Sequence, residues 1–123
     1  MDYFLVLVNG KKSAFEKLDE EKQKSYIEKW LLFVDEIQSG PSWVAGGPLE
    51  DAILKLCSGG PTHIHGAAGQ SDLCGFMLVR HSTQEKLVEL LSGCPVMEIG
   101  GHIDIRRVDK EKMQQINIVE KIP

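Results

Sequence analysis

Tyr3-Phe4-Leu5-Val6-Leu7-Val8 is apolar at every position. Successive residues of a strand point to opposite faces, so a strand with one wet face alternates apolar and polar side chains. This segment does not alternate, and it therefore reads as a strand covered on both sides. Cys74–His81 (Cys-Gly-Phe-Met-Leu-Val-Arg-His) repeats the pattern later in the chain. Two such strands require a layer on each face of whatever sheet holds them.

Between and after them the elements follow from periodicity. Tyr26, Ile27, Trp30, Leu31, Val34 and Ile37 recur at the helical period and predict a helix over about 19–39, with Asp19 as N-cap and Gly40-Pro41 as the stop. Trp43-Val44-Ala45 reads as a short strand broken by Gly46-Gly47-Pro48. Ala52–Cys57 and Thr62-His63-Ile64-His65 read as a hairpin around Ser58-Gly59-Gly60-Pro61, and Gly66–Ser71 as a loop. Ser82 with Glu85 forms a capping box before a short helix of Leu87, Val88, Leu90 and Leu91 that ends at Gly93. His102–Val108 alternates, with Ile103 and Ile105 on one face and His102, Asp104 and Arg106 on the other.

The order strand, helix, strand, inserted hairpin, strand, helix, strand is the split βαβ, ferredoxin-like plan of an α+β domain. Its right-handed crossovers put both helices on one face of an antiparallel sheet. The other face of the apolar strands is then bare, and each wet Leu, Val, Phe or Met forfeits roughly 1.5–3 kcal/mol. A second copy packing face to face removes that cost, so the expectation is a homodimer, a dimeric α+β barrel. Residues 1–108 form the domain and 109–123 a C-terminal extension. The extension is charged, then apolar (Ile116, Ile118, Val119, Ile122), and reads either as a frayed end or as an arm on the partner subunit.

Composition narrows the function. With 14 Lys and Arg against 18 Asp and Glu, the net charge is −4, which argues against a nucleic-acid binder that works by counterion release. No apolar run approaches the roughly 20 residues of a membrane span, and no basic, cleavable leader opens the chain. Three widely spaced cysteines, Cys57, Cys74 and Cys94, without a CxxC pair, suit a reducing cytoplasm.

Several short segments, in this order and spacing, resemble the YCII-related family of dimeric α+β barrels. They are Tyr3-Phe4-Leu5-Val6-Leu7, Phe33-Val34-Asp35-Glu36-Ile37-Gln38-Ser39-Gly40, Ala45-Gly46-Gly47-Pro48-Leu49, Gly75-Phe76-Met77-Leu78, Cys94-Pro95 and Ile103-Asp104-Ile105-Arg106-Arg107-Val108. The resemblance implies that fold, and relatives with this barrel include lactone-processing isomerases and dehydrohalogenases of aromatic breakdown. Two departures stand out. Where many members carry Asp-Gly-Pro-Phe this chain has His65-Gly66-Ala67-Ala68, and where others carry a helix histidine it has Tyr26 or Trp30.

The chemistry-bearing residues fall into four groups. His63 and His65 share a strand face; they share a metal, line a pocket as base and donor, or are merely two exposed hairpin histidines. No third ligand is nominated, so neither metal nor cofactor is expected. His102, Asp104 and Arg106 form either a polar patch that orients a small anionic ligand or a charged edge that deters aggregation. Asp72, beside the second apolar strand, pairs with a histidine or serves as a turn residue. Trp30 and Trp43 wall an aromatic pocket or pack in the core. The expectation is a small-molecule-binding dimer with isomerase- or lyase-type proton transfer by His65, His102 and Asp72. Its alternative is a non-catalytic accessory module.

Overall fold

The computed structural model describes residues 1–64, 72–81 and 83–115. Its main sheet is four-stranded and antiparallel, in the order β2-β5-β1-β6. The strands are β1 (Asp2–Asn9), β2 (Trp43–Pro48), β5 (Leu73–His81) and β6 (His102–Arg107). The remaining elements are helices α1 (Lys12–Glu16), α2 (Glu20–Ser39), α3 (Gln84–Leu91) and α4 (Lys110–Gln115), a 3-10 turn at Pro95–Ile99, and a separate hairpin of β3 (Ile53–Cys57) and β4 (Gly60–Ile64). The outer strand of each βαβ half, β2 and β6, thus flanks the apolar pair β5 and β1, which is the ferredoxin-like α+β arrangement expected.

Alternation appears once the strands are placed. Phe4, Val6 and Val8 of β1 are buried, as are Gly75, Met77 and Val79 of β5, and the register sets Phe4 opposite Val79 and Val6 opposite Met77. These side chains meet Phe33 and Ile37 of α2, Leu87 and Leu91 of α3, and Cys94 and Val96 beyond it, in one core. The other face carries Leu5 opposite Leu78 and Leu7 opposite Phe76, all half-buried and outside the core cluster of the described residues. The apolar runs therefore hold two sets of side chains, and the described helices cover one of them.

Helix α2 begins where Asp19 accepts a hydrogen bond from the Lys22 amide at 2.8 Å. Its inward stripe is Tyr26, Trp30, Phe33 and Ile37, spaced i, i+4, i+7, i+11. This corrects the expected face: Phe33 is buried, whereas Ile27 and Leu31 are exposed, Leu31 at 66%. The expected capping Ser82 lies outside the described residues, and α3 is capped by Thr83, whose hydroxyl accepts from the Lys86 amide at 3.2 Å.

Strand β2 does not break at its glycines but runs through Gly46-Gly47-Pro48, pairing with Met77, Phe76 and Gly75. It has to be glycine at Gly46, because a Cβ there would lie 2.6 Å from the Phe76 carbonyl oxygen and 2.6 Å from the Trp43 ring. Helix α1 and the 3-10 turn were not foreseen; both are too short to show periodicity. The hairpin strands pair only with each other among the described strands, with Leu54 and Leu56 exposed. After β6 the Val108 amide donates to the Tyr3 carbonyl at 2.9 Å, and Lys110 of α4 lies 3.5 Å from Asp2. The apolar end of the extension, Ile116 onward, lies outside the described residues.

Candidate functional site

A cleft of about 1570 Å³ lies between α1 and α2 on one side and β2 and β5 on the other. Its origin is a shortage of side chains on the helix-facing surface of the sheet. Gly75 stands opposite Val8 at an inward position, and Gly46 stands opposite Met77 beside it. The Trp43 ring folds over Gly46, leaving the backbone at Gly75 as bare floor. An added methyl on Gly75 would meet only the Gly47 carbonyl at 3.4 Å and Val8 at 3.8 and 4.0 Å, which is ordinary contact.

The opposite wall is aromatic. Phe15 of α1 and Tyr26 of α2 lie 5.7 Å apart between ring centroids, Tyr26 and Trp30 meet edge-on at 6.4 Å, and Trp30 and Phe33 edge-on at 5.8 Å. Trp30 and Trp43 are the only tryptophans of the chain, and both line the cleft. Charge is confined largely to the mouth, where exposed Lys12 of α1 pairs with exposed Asp51 beyond β2 at 3.4 Å.

Two polar groups of the cleft, Tyr26 and Cys74, are neutral. Burial pushes the Tyr26 phenol above its usual pKa, partly offset by a hydrogen bond with Trp30. Burial also raises the Cys74 thiol, which donates to the Val8 carbonyl at 3.5 Å. Both groups present O–H or S–H rather than charge near neutral pH. Asp72 lines the cleft too, half-buried, and its backbone carbonyl accepts from the Gly10 amide at 2.7 Å.

The residues singled out from sequence separate into distinct places. Trp30, Trp43 and Asp72 come together in the cleft. His102, Asp104 and Arg106 share the opposite face of the sheet, where the register sets them beside Asn9, Leu7 and Leu5. There the His102 Nε2 lies 3.6 Å from Asp104 Oδ2, and Asn9 Nδ2 donates to that same oxygen at 3.3 Å. The His102 side chain is 63% exposed, and the sheet separates this pair from the cleft. His63 sits exposed on β4 opposite Leu54 and does not line the cleft. His65 lies outside the described residues. Among the described residues no three His, Cys, Asp or Glu side chains converge to hold a metal.

Sequence reading missed Tyr26, Cys74 and the glycine floor as parts of a site. The spacing of Tyr26 and Trp30 did contain the signal for the first. A bare floor cannot be read without strand register, because glycine in a strand looks like a break.

No family model and no curated protein matches the chain. Among solved structures it is similar to 5-chloro-2-hydroxyhydroquinone dehydrochlorinase from Burkholderia phenoliruptrix AC1100, in complex with 2,5-dihydroxybenzoquinone. The TM-score is 0.52 at 11% identity, over 87% of this chain and 93% of that one. The likeness agrees with the α+β, ferredoxin-like fold. No helix of the described residues is long and apolar enough to cross a membrane.

Proposed function

We propose that the cleft binds a small, flat, uncharged organic molecule, and that the protein works as a homodimer. One observation carries the first part: both tryptophans, a neutral Tyr26 and a floor without side chains meet in one cavity, with Cys74 also held as the thiol. Aromatic walls favour a ring, and a phenol O–H orients an oxygen on it. The fold neighbour, an enzyme, is described with a quinone bound, which supports a small-molecule role. In the finer reading the site moves a proton, as isomerases and lyases do, with Asp72 as base and Tyr26 as hydrogen-bond donor. His102 acts elsewhere in this reading, because the sheet lies between it and the cleft.

The test uses the two indole N–H resonances as local reporters. Titration with 2-naphthol shifts both at concentrations where cyclohexanol and benzoate shift neither. A spectrum unmoved by 2-naphthol refutes the binding site. Binding with no turnover of any ring compound favours the accessory-module alternative over proton transfer.

The dimer rests on Leu5, Leu7, Phe76 and Leu78, which form an apolar sheet face outside the core that the helices build, among the described residues. Light scattering is expected to give about twice 13.7 kDa, and Leu7→Lys is expected to halve that mass. A wild-type mass of one chain refutes the assembly.

A further inference from the structure

The size of the cleft and the identity of one residue say more about what it holds. Ligand sites for drug-sized molecules run ~300–1,000 Å³, and this cleft, at about 1570 Å³, exceeds that range. A single ring would leave most of it to water. Gly75 lines the same cleft as Trp43 and the aromatic residues Tyr26 and Trp30 of α2, and it adds no side chain to it.

Gly75 has no local reason to be glycine. Its backbone is not in the left-handed region, since the described glycines with positive φ are Gly60 and Gly100. An added Cβ meets only ordinary contacts. Glycine within a strand weakens it by leaving the unfolded chain freer and the sheet less packed. The position therefore gives up stability for open space in the cleft, unlike Gly46, where sterics alone demand glycine.

We propose that Gly75 is the specificity-determining residue of the cleft and that the space above it admits a fused two-ring ligand in preference to a single ring. The proposal rests on the cleft being the binding site. A side chain at Gly75 fills the place of the second ring, so it removes the preference for two rings while leaving the first ring its wall contacts.

Phenol and 2-naphthol are titrated separately into the full chain, again read at the two indole resonances, with thermal unfolding of each variant alongside. The wild type is expected to bind 2-naphthol at least tenfold more tightly than phenol. Gly75→Val is expected to bring the two within threefold, with a melting temperature no lower than wild type. Gly75→Ala lowers the preference at least threefold. It decides the matter alone if the valine variant does not fold. An unchanged preference in a folded variant, or a wild type that does not discriminate, overturns this proposal while leaving the binding site intact. If neither compound moves either indole, the site itself falls, and the proposal with it.

Discussion

Gly46 and Gly47 are neighbours on an edge strand and look interchangeable in the sequence, yet alanine at the two positions is expected to have opposite effects. A methyl on Gly46 points to the helix side, where it meets the Phe76 carbonyl oxygen and the Trp43 ring, each at 2.6 Å, and the Met77 Cα at 3.1 Å. Backbone of a paired strand does not yield, so β2 must move or Trp43 must leave its place against the core. Overpacking of this kind costs ~1–3 kcal/mol, and we place Gly46→Ala at the upper end because two of the three contacts are backbone. A methyl on Gly47 points the other way and meets nothing within 4 Å. There the restriction of the unfolded chain dominates, and Gly47→Ala stabilises by ~0.4–1 kcal/mol. The two variants should thus differ by about 3.5–4 kcal/mol, or roughly 15 °C in melting temperature for a domain of this size. Thermal and urea unfolding followed by circular dichroism measures both. Shifts of the same sign and similar size would refute the strand register and the glycine reasoning built on it.

Three further outcomes are expected. Cys57 is exposed, Cys74 is half-buried and Cys94 is buried, so a chromogenic thiol reagent should find one fast thiol per folded chain and three after unfolding; two fast thiols would contradict the placement. Burial pushes the Cys94 thiol from an ordinary value of 9.0 to about 11 in the folded chain, so the unfolded chain ionises first. The stability this confers is complete below the unfolded value and is lost as pH rises through the folded one. Cys94→Ala should therefore flatten the decline between those limits, and an identical alkaline slope in both proteins would refute it. Thr83→Ala removes the cap of α3 and should cost about 1 kcal/mol in urea unfolding, whereas Thr83→Ser should cost far less.

Much of the architecture was legible because it rests on patterns longer than a turn. The unbroken apolar runs at Tyr3–Val8 and Cys74–His81, the periodic helix from Asp19 and the alternation of His102–Arg107 fixed the element order. The face of α2 was misjudged because Ile27, Leu31 and Phe33 are all apolar, and only packing against the sheet decides which turn inward. The site was less legible. Trp30, Trp43 and Asp72 converge, but that depends on β2 and β5 being neighbours. His102 was grouped with Asp72 as a proton-transfer group, and nothing local reveals that the two lie on opposite sides of a sheet. Cavities made by missing side chains are the hardest case, since glycine signals a turn far more often than a floor.

The position of β1 in the sheet has a consequence for synthesis. Its two hydrogen-bonding partners are β5 and β6, so the strand made first is the one whose neighbours are made last. At ~5–20 residues per second, a nascent chain carries its most water-averse segment without a strand partner for several seconds. During that interval α2, capped by its own Asp19, can form beside the ribosome while the sheet cannot. Newly made chains should accordingly depend on holding factors that bind extended apolar segments, and moving β1 to the end of the chain by circular permutation should lessen that dependence.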